Sequence, residues 1–468
     1  MLSEDVLYKP VEELSALVRA GDISPVELTE SYLKRIDSLD PILHAFVTVA
    51  HERALTEARA AEREIAAGRI RGPLHGVPYG TKDLLATRGI PTTWGAGPYA
   101  ERMIDDDAAV VRRLREAGAI LLGKVAMVEL AGGLGYSKGN ASLTGTALNP
   151  WDLGRWTCGS SSGSGAAVAA GLVPFAIGSE TWGSIICPSS FCGVSGLRPT
   201  FGRVSRRGSM ALSWTMDKLG PMARSAGDCA SVLRQIEGFD PTDPFSAEEP
   251  ATPTADPDAA RRLRVGTVTL DFEAAGDPSV KRVFERALAE LEAAGVRIDE
   301  VKLPELPFES VAWVIVVGEA ASAFEELERT GAARRLVDPG APLSFVVSRA
   351  VRGADLVKAR RIQTVCQREM ADLLGRYDVL LYPGELRTAF PVEMDFSEIA
   401  WSDPVGAAGN LCGLPALSVP CGFADDGLPV SLTAVAGAFE DAKAIAMGRL
   451  YQGITSWHLK RPPIDRHA

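Results

Sequence analysis

Residues Thr157 to Thr200 read TCGSSSGSGAAVAAGLVPFAIGSETWGSIICPSSFCGVSGLRPT, the densest mixture of Gly and Ser with apolar runs in the chain. Ser160-Ser161-Ser162-Gly163-Ser164-Gly165 leads straight into Ala166-Ala167-Val168-Ala169-Ala170. That order predicts a loop entering a tightly packed helix. Gly lets backbones approach closely, and serine hydroxyls then gather at a helix N-terminus rich in free N–H donors. A short apolar run, Val173-Pro174-Phe175-Ala176-Ile177, follows, and after it a second loop, Gly178 to Ser184. Two loops flanking one such unit bring Ser160 and Ser184 within reach of each other. Gly/Ser loops also serve as plain turns and phosphate cradles, so the stretch alone leaves its chemistry open.

Outside it, the first residue that bears on chemistry is Lys82. It ends Pro73-Leu74-His75-Gly76-Val77-Pro78-Tyr79-Gly80-Thr81-Lys82-Asp83, a segment of short-strand and turn character, and Leu84 and Leu85 follow. Two readings stand. Lys82 reaches solvent or pairs with Asp83, or it is buried, loses its proton easily and serves as a base near neutral pH. Histidine is scarce: His44, His51, His75, His458 and His467. Gly159-Ser160-Ser161-Ser162-Gly163 matches the G-x-S-x-G nucleophile elbow, but the histidine such a site needs downstream would have to be His458 or His467, in a polar tail. Ser31-Tyr32-Leu33-Lys34 matches S-x-x-K on a charged amphipathic helix with no companion motif.

Residues 1–70 read as a helical segment packed on the core. Ser24-Pro25-Val26-Glu27 is a capping box, and a second helix over about 49–67 ends at Gly68. Asp107 is expected to cap a helix running to about Ala117, before the core strand 119–123. Strand and helix patterns then alternate through 71–468. A surface loop is expected over 239–261, where Asp, Pro, Glu and Ala dominate, and a variable substrate-pocket region over 307–400. The pattern predicts an α/β class: one large α/β/α layered domain with a central mixed, mostly parallel twisted sheet covered by helices.

The 468 residues are 46% hydrophobic and 23% charged, with a net charge of −11. That balance suits a globular enzyme and gives no basic surface for nucleic acid. The N-terminus lacks the apolar core of a signal peptide, and no apolar stretch is long enough to span a bilayer. The seven cysteines form no C-x-x-C pair, so neither a zinc site nor a disulfide framework is expected. Buried reduced thiols and a cytoplasmic location are.

The chain resembles the amidase signature family. The resemblance rests on PLHGVPYGTKD, the Gly/Ser stretch with Ser160, GSETWGSIICP, Phe191-Cys192-Gly193, GLRPTFGRVSRRG, Asp217 and Leu219-Gly220-Pro221-Met222-Ala223-Arg224, with a C-terminal echo in Asn410-Leu411-Cys412-Gly413-Leu414-Pro415-Ala416 and GLPVSL. It is dense over 73–230, thin over 240–375 and fair over 376–437. It implies a Ser–cis-Ser–Lys triad: Lys82 as base, Ser160 as bridging serine after a cis peptide bond, and Ser184 as nucleophile. It also implies an oxyanion hole from the backbone N–H groups of Thr181, Trp182, Gly183 and Ser184, and no cofactor or metal. Ser161, Ser162 and Ser164 are then loop and network hydroxyls.

Two departures from the family pattern guide the expected substrate. Trp182 stands in Glu180-Thr181-Trp182-Gly183-Ser184 where the family has Gly, and Ile186 stands where an Arg is common. A Trp with positive φ would be costly, so negative φ is expected, with the indole either shaping the pocket or packing inward. With Ile186 in place of a charge and no visible cluster for an α-amino acid head group, the expected substrates are small uncharged aryl amides. Carbamates are included because the Glu-Thr-Trp-Gly-Ser run looks similar to that of urethanase members, and some esterase activity is expected. The expected partner is then a small molecule only, without nucleic acid or membrane, for a monomer or homodimer. The competing reading is a glutamine-hydrolysing subunit of a tRNA-dependent amidotransferase complex, which would use the same triad. A non-catalytic scaffold of this fold is the third, disfavoured by the joint presence of Lys82, Ser160 and Ser184.

Overall fold

The computed structural model describes residues 2–133, 135–272, 276–396 and 402–464. Residues 397–400 of the expected pocket region, and His467, lie outside them. Among the described residues thirteen strands run in chain order: β1 Phe46–Val49, β2 Pro78–Lys82, β3 Ile120–Val125, β4 Leu148–Asn149, β5 Asp152–Trp156, β6 Phe175–Glu180, β7 Ser195–Arg198, β8 Lys218–Ala223, β9 Val265–Val268, β10 Ile298–Val301, β11 Val379–Pro383, β12 Ala416–Phe423 and β13 Pro429–Ala436. All but β4 and β5, which pair with each other, join one sheet in the order β1-β3-β2-β6-β8-β7-β12-β13-β11-β9-β10. The result is a single α/β domain whose large mixed sheet is flanked by helices.

Parallel pairing, expected to dominate, is confined to two places: β3-β2-β6 on one side and β11-β9-β10 on the other. The centre is antiparallel. There β12 and β13 form a hairpin, with Ala424 and Leu428 closing its turn, and β8 pairs with both β6 and β7. Strands joined by short connections pair antiparallel, whereas parallel neighbours need a long crossover.

Side chains along β6 alternate between the two faces, as strand geometry requires. Phe175 and Ile177 join an apolar cluster with Val110, Leu114 and Leu233, while Ala176 joins one with Leu28, Leu39 and Ala166. The helices Pro25–Leu43, His51–Ala66 and Ser162–Ala169 therefore lie on one face, and Ala109–Glu116 and Ala226–Ile236 on the other.

Two local expectations change. The segment 1–70 also contributes an edge strand: β1 pairs antiparallel with β3. Asp40 turns the chain out of its helix there, accepting from the N–H groups of Ala45 (2.8 Å) and Phe46 (3.1 Å), beside His44 at φ 52°. Asp107 does not cap the helix Ala109–Glu116. Its carboxylate accepts from the N–H of Arg88 (2.8 Å) and from the Arg115 guanidinium instead.

Candidate active site

Strands β2 and β6 are parallel neighbours, with Gly80 opposite Ala176 and Thr81 opposite Ile177. Their C-terminal ends therefore meet at one edge of the sheet, where sites gather in parallel α/β folds. Lys82 ends β2, and Ser179-Glu180 ends β6. The helix Ser162–Ala169 brings its N-terminal end to the same edge. It can lie this close because a Cβ at Gly163 would sit 2.3 Å from the Ala45 carbonyl oxygen, and one at Gly165 would sit 3.0 Å from that of Pro188. The Gly/Ser pattern is thus a packing requirement as well as a source of hydroxyls.

Lys82 is fully buried. Its Nζ lies 2.7 Å from Ser160 Oγ, 2.9 Å from Ser161 Oγ and 2.9 Å from Ser179 Oγ. Among the described residues no carboxylate bonds it. Burial holds its pKa well below the usual lysine value of 10.5, with Asp217 and Glu180 pulling weakly the other way. Snorkelling is excluded, and Asp83 pairs with Lys124 at 2.9 Å instead. A neutral amine has two N–H groups and one lone pair. Ser161 Oγ donates to the Ser179 carbonyl (3.1 Å), so Ser161 accepts from the lysine. The lone pair is left for the proton of Ser160 or Ser179, and Ser160 is the nearer.

Gly159–Ser160 is a cis peptide bond. Ser160 is 1% exposed and Ser184 8%, so Ser184 is the less buried of the two hydroxyl-bearing residues. The segment Thr181 to Ser184 turns through Gly183 at φ 80°, while Trp182 keeps negative φ as expected. Among the described residues, none of the four N–H groups from Thr181 to Ser184 donates to a protein acceptor. Four consecutive free donors at one turn make an arrangement able to hold an anion.

Two buried carboxylates hold this turn from behind. Glu180 accepts from the N–H groups of Ile185 (2.8 Å) and Ile186 (3.0 Å), from Arg198 Nη1 (2.7 Å) and from Asn410 Nδ2 (2.9 Å). Burial opposes its charge, but Arg198 and Lys218 outweigh burial and hold its pKa at about 2. Asp217 accepts from Thr181 Oγ1 (2.5 Å) and from the N–H groups of Leu212 and Ser213. Burial raises the pKa of this carboxyl. Along the sequence Glu180 reads only as part of a motif, and Ser179, Asp217 and Asn410 carry no role of their own.

Ile186, expected to line the pocket, is 3% exposed and clusters with Met216, Val405 and Leu411. The half-buried Trp182 packs on that cluster and donates from Nε1 to Asp403 Oδ2 at 3.0 Å. Asp403 and Glu385 line one small cavity with Tyr382 and Leu270. Burial raises the pKa of both, that of Asp403 to about 7; the Glu180 charge adds to the rise at both, and Asp403 adds to it at Glu385. No sequence pattern points to them, since more than 200 residues separate either from Trp182.

The elbow reading fails here: Ser161 Oγ bonds Lys82 and Ser179, and the backbone carbonyl of His458 lies against Arg224. The expectation that the cysteines are mostly reduced thiols meets one exception. Cys158 and Cys187 are joined, with Cα atoms 6.0 Å apart. Their spacing of 29 residues carries no recognisable motif, and only the fold brings them within disulfide range. The other five are free.

A serine-bearing turn with free N–H donors stands in front of a buried lysine that bonds two further serines and whose pKa burial holds well below the usual value. The chain belongs to the Amidase family, whose model matches residues 27–445. A Glutamyl-tRNA(Gln) amidotransferase subunit of Moorella thermoacetica is 36% identical, with 98% of this chain and 99% of the relative aligned. The peptide amidase of Stenotrophomonas maltophilia superposes with TM-score 0.86 at 32% identity, over 97% of this chain and 98% of that one. The corresponding amidotransferase subunit of Thermotoga maritima gives 0.81 at 30% identity, over 96% and 95%.

These relatives overturn two expectations. The preference for uncharged aryl amides or carbamates gives way to the competing reading, because the curated relatives, at about 36% identity over nearly the whole chain, carry the amidotransferase name. The picture of a stand-alone monomer or homodimer meeting only small molecules, without nucleic acid, falls with it, since those relatives are subunits of an assembly named for a tRNA. Asp403 reaches Trp182 only in three dimensions, with Glu385 lining the same small cavity as Asp403. Among the described residues no helix is long and apolar enough to cross a membrane.

Proposed function

We propose that this chain is the glutamine-hydrolysing subunit of a tRNA-dependent amidotransferase. Neutral Lys82 accepts the proton of Ser160, which takes that of Ser184 as Ser184 Oγ attacks the side-chain carboxamide carbon. The N–H groups of Thr181, Trp182, Gly183 and Ser184 hold the resulting oxyanion, each donor contributing about 3 kcal/mol. Ser160 then passes its proton to the leaving nitrogen, which departs as ammonia and leaves a glutamyl ester on Ser184, while Lys82 returns a proton to Ser160. Water then attacks the ester as Ser160 and Lys82 take its proton, and the proton is handed back to Ser184 as glutamate leaves.

Likeness to the amidotransferase subunits over nearly the full length carries this reading. The site supports it: Asp403 bonds the indole of Trp182, two residues before the nucleophile, and its carboxylate is the group to receive an α-ammonium. Its partners are the other subunits of that assembly and the tRNA, and such an assembly works in the cytoplasm where tRNA is charged. The test is ammonia release from glutamine by the chain alone and after addition of its partner subunits with glutamyl-tRNA. Release that rises in the complex supports the reading. An absence of release in both, alongside turnover of an unrelated amide, overturns it.

A further inference from the structure

We propose that the Cys158–Cys187 bond is a redox-controlled link that sets the position of Ser160 relative to Ser184, so that its reduction by a dithiol slows acyl transfer while leaving substrate binding intact. This rests on the roles of the two serines given above. Cys158 lies two residues before Ser160, and Cys187 three residues after Ser184, in the first turn of the helix Ile186–Cys192. The bond therefore ties the segment carrying the bridging serine to the segment carrying the nucleophile. The direct backbone contact between these segments is weak: the Ser161 N–H reaches the Ser184 carbonyl at 3.3 Å.

Two features say that the link constrains its surroundings. Cys158 has φ 64°, a left-handed conformation that a non-glycine residue keeps only where its environment imposes it. Both cysteines are nearly buried, at 2% and 1% exposure, in a cluster with Trp156, Phe191 and Phe390. Such packing leaves little room for two separate thiols, because non-bonded sulfurs sit farther apart than bonded ones. Opening the bond therefore shifts one segment against the other, and a shift of about 1 Å at reacting groups costs about a hundredfold in rate. A third cysteine, Cys192, ends the same helix with Sγ 3.8 Å from the Thr157 carbonyl. Burial pushes its thiol up, so it stays protonated and does not exchange with the bond.

The reaction balances with a dithiol as reductant. One thiolate attacks a bridge sulfur and forms a mixed disulfide, and the second closes a cyclic disulfide and leaves. Two electrons and two protons end on Cys158 and Cys187.

The test uses the full chain purified without reductant. Alkylation and intact mass should find five free thiols before treatment with dithiothreitol and all seven after it. On reduction, kcat for glutamine should fall at least tenfold with KM within twofold, and should recover on reoxidation. The double variant Cys158→Ser/Cys187→Ser should have the reduced-state kcat and ignore dithiothreitol. Should that variant fail to fold, Cys158→Ser alone should give the same kcat loss. Seven free thiols before reduction, a bond that resists the dithiol, full reduction with unchanged kcat, or a double variant with wild-type kcat would each overturn the proposal. Failure of the serine roles is a separate result: Ser184→Ala would then keep its activity whatever the redox state.

Discussion

The edge where β2 and β6 end and the wall that includes Glu385 and Asp403 are built differently. At the edge the groups sit on closely packed elements braced by buried side chains. Lys82 is held in a fully buried strand, Ser160 by a loop packed under Gly163, and the turn Thr181 to Ser184 by Glu180 and Asp217. The wall is assembled from a strand end and a helix start, and the helices beyond it leave Leu343, Val346 and Val357 more than half exposed. Chemistry that needs sub-ångström placement sits on rigid elements. Recognition, which tolerates adjustment, sits on pieces far apart in sequence. Substitutions at the edge should therefore lower kcat or stability, and substitutions in the wall should raise KM.

The largest effect is expected for Ser184→Ala. Loss of a nucleophile from a cooperating set costs on the order of 10⁶ in kcat, and with the side chain 8% exposed the melting temperature should hardly move. Ammonia release near the wild-type rate would break the assignment of the edge.

Lys82→Met should lower kcat about 10³-fold, the range of a general base. The pH profile carries the sign. Burial holds the lysine below its ordinary 10.5, so the wild-type rate rises with pH as Lys82 loses its proton and levels off before the usual lysine range. A rate that fell with rising pH over that limb would contradict a neutral-lysine base.

Glu180→Gln should show mainly as stability. It leaves Arg198 buried and unpaired, a change worth about 3–5 kcal/mol in chemical denaturation. Because the Glu180 pKa is lowered to about 2 from 4.5, its contribution is full above about 4.5 and is lost as pH falls towards 2. The stability curves of the wild type and of the Glu180→Gln variant should therefore converge only in acid. Convergence near neutrality would remove Glu180 from the support of the turn.

The smallest effect tests the wall. Asp403→Asn should raise KM for glutamine about tenfold, the loss of one charge-assisted bond, with kcat within a few-fold. The Asp403 carboxyl ionises at about 7, so wild-type KM should fall as pH rises through that value, and the variant should lose the dependence. A drop in kcat with unchanged KM would move Asp403 from the wall to the edge.

This division also explains what could be read along the chain. The edge was legible because its constraints are local: Gly163 and Gly165 where backbones touch, and Lys82 in an apolar strand. The alternation of helix and strand was legible too, but β1 was not, because the turn at Asp40 that frees it is a side-chain-to-backbone contact inside a helical pattern. The antiparallel centre of the sheet depends on which strands neighbour each other, which periodicity does not encode. Asp403 meets Trp182 from beyond a long stretch of intervening chain, and Cys158 meets Cys187 without a spacing motif. The substrate expectation rested on Trp182 and Ile186, neighbours of Ser184 in sequence, and Ile186 instead packs into an apolar cluster.

Trapping the acyl-enzyme tests the central claim most directly. After rapid quenching of the chain with glutamine, peptide mass spectrometry should find a glutamyl group on Ser184, released ammonia in equal amount during the first turnover, and neither in Ser184→Ala. An unmodified Ser184 with glutamine, in a preparation whose Ser184 is acylated by an uncharged aryl anilide, would contradict the account.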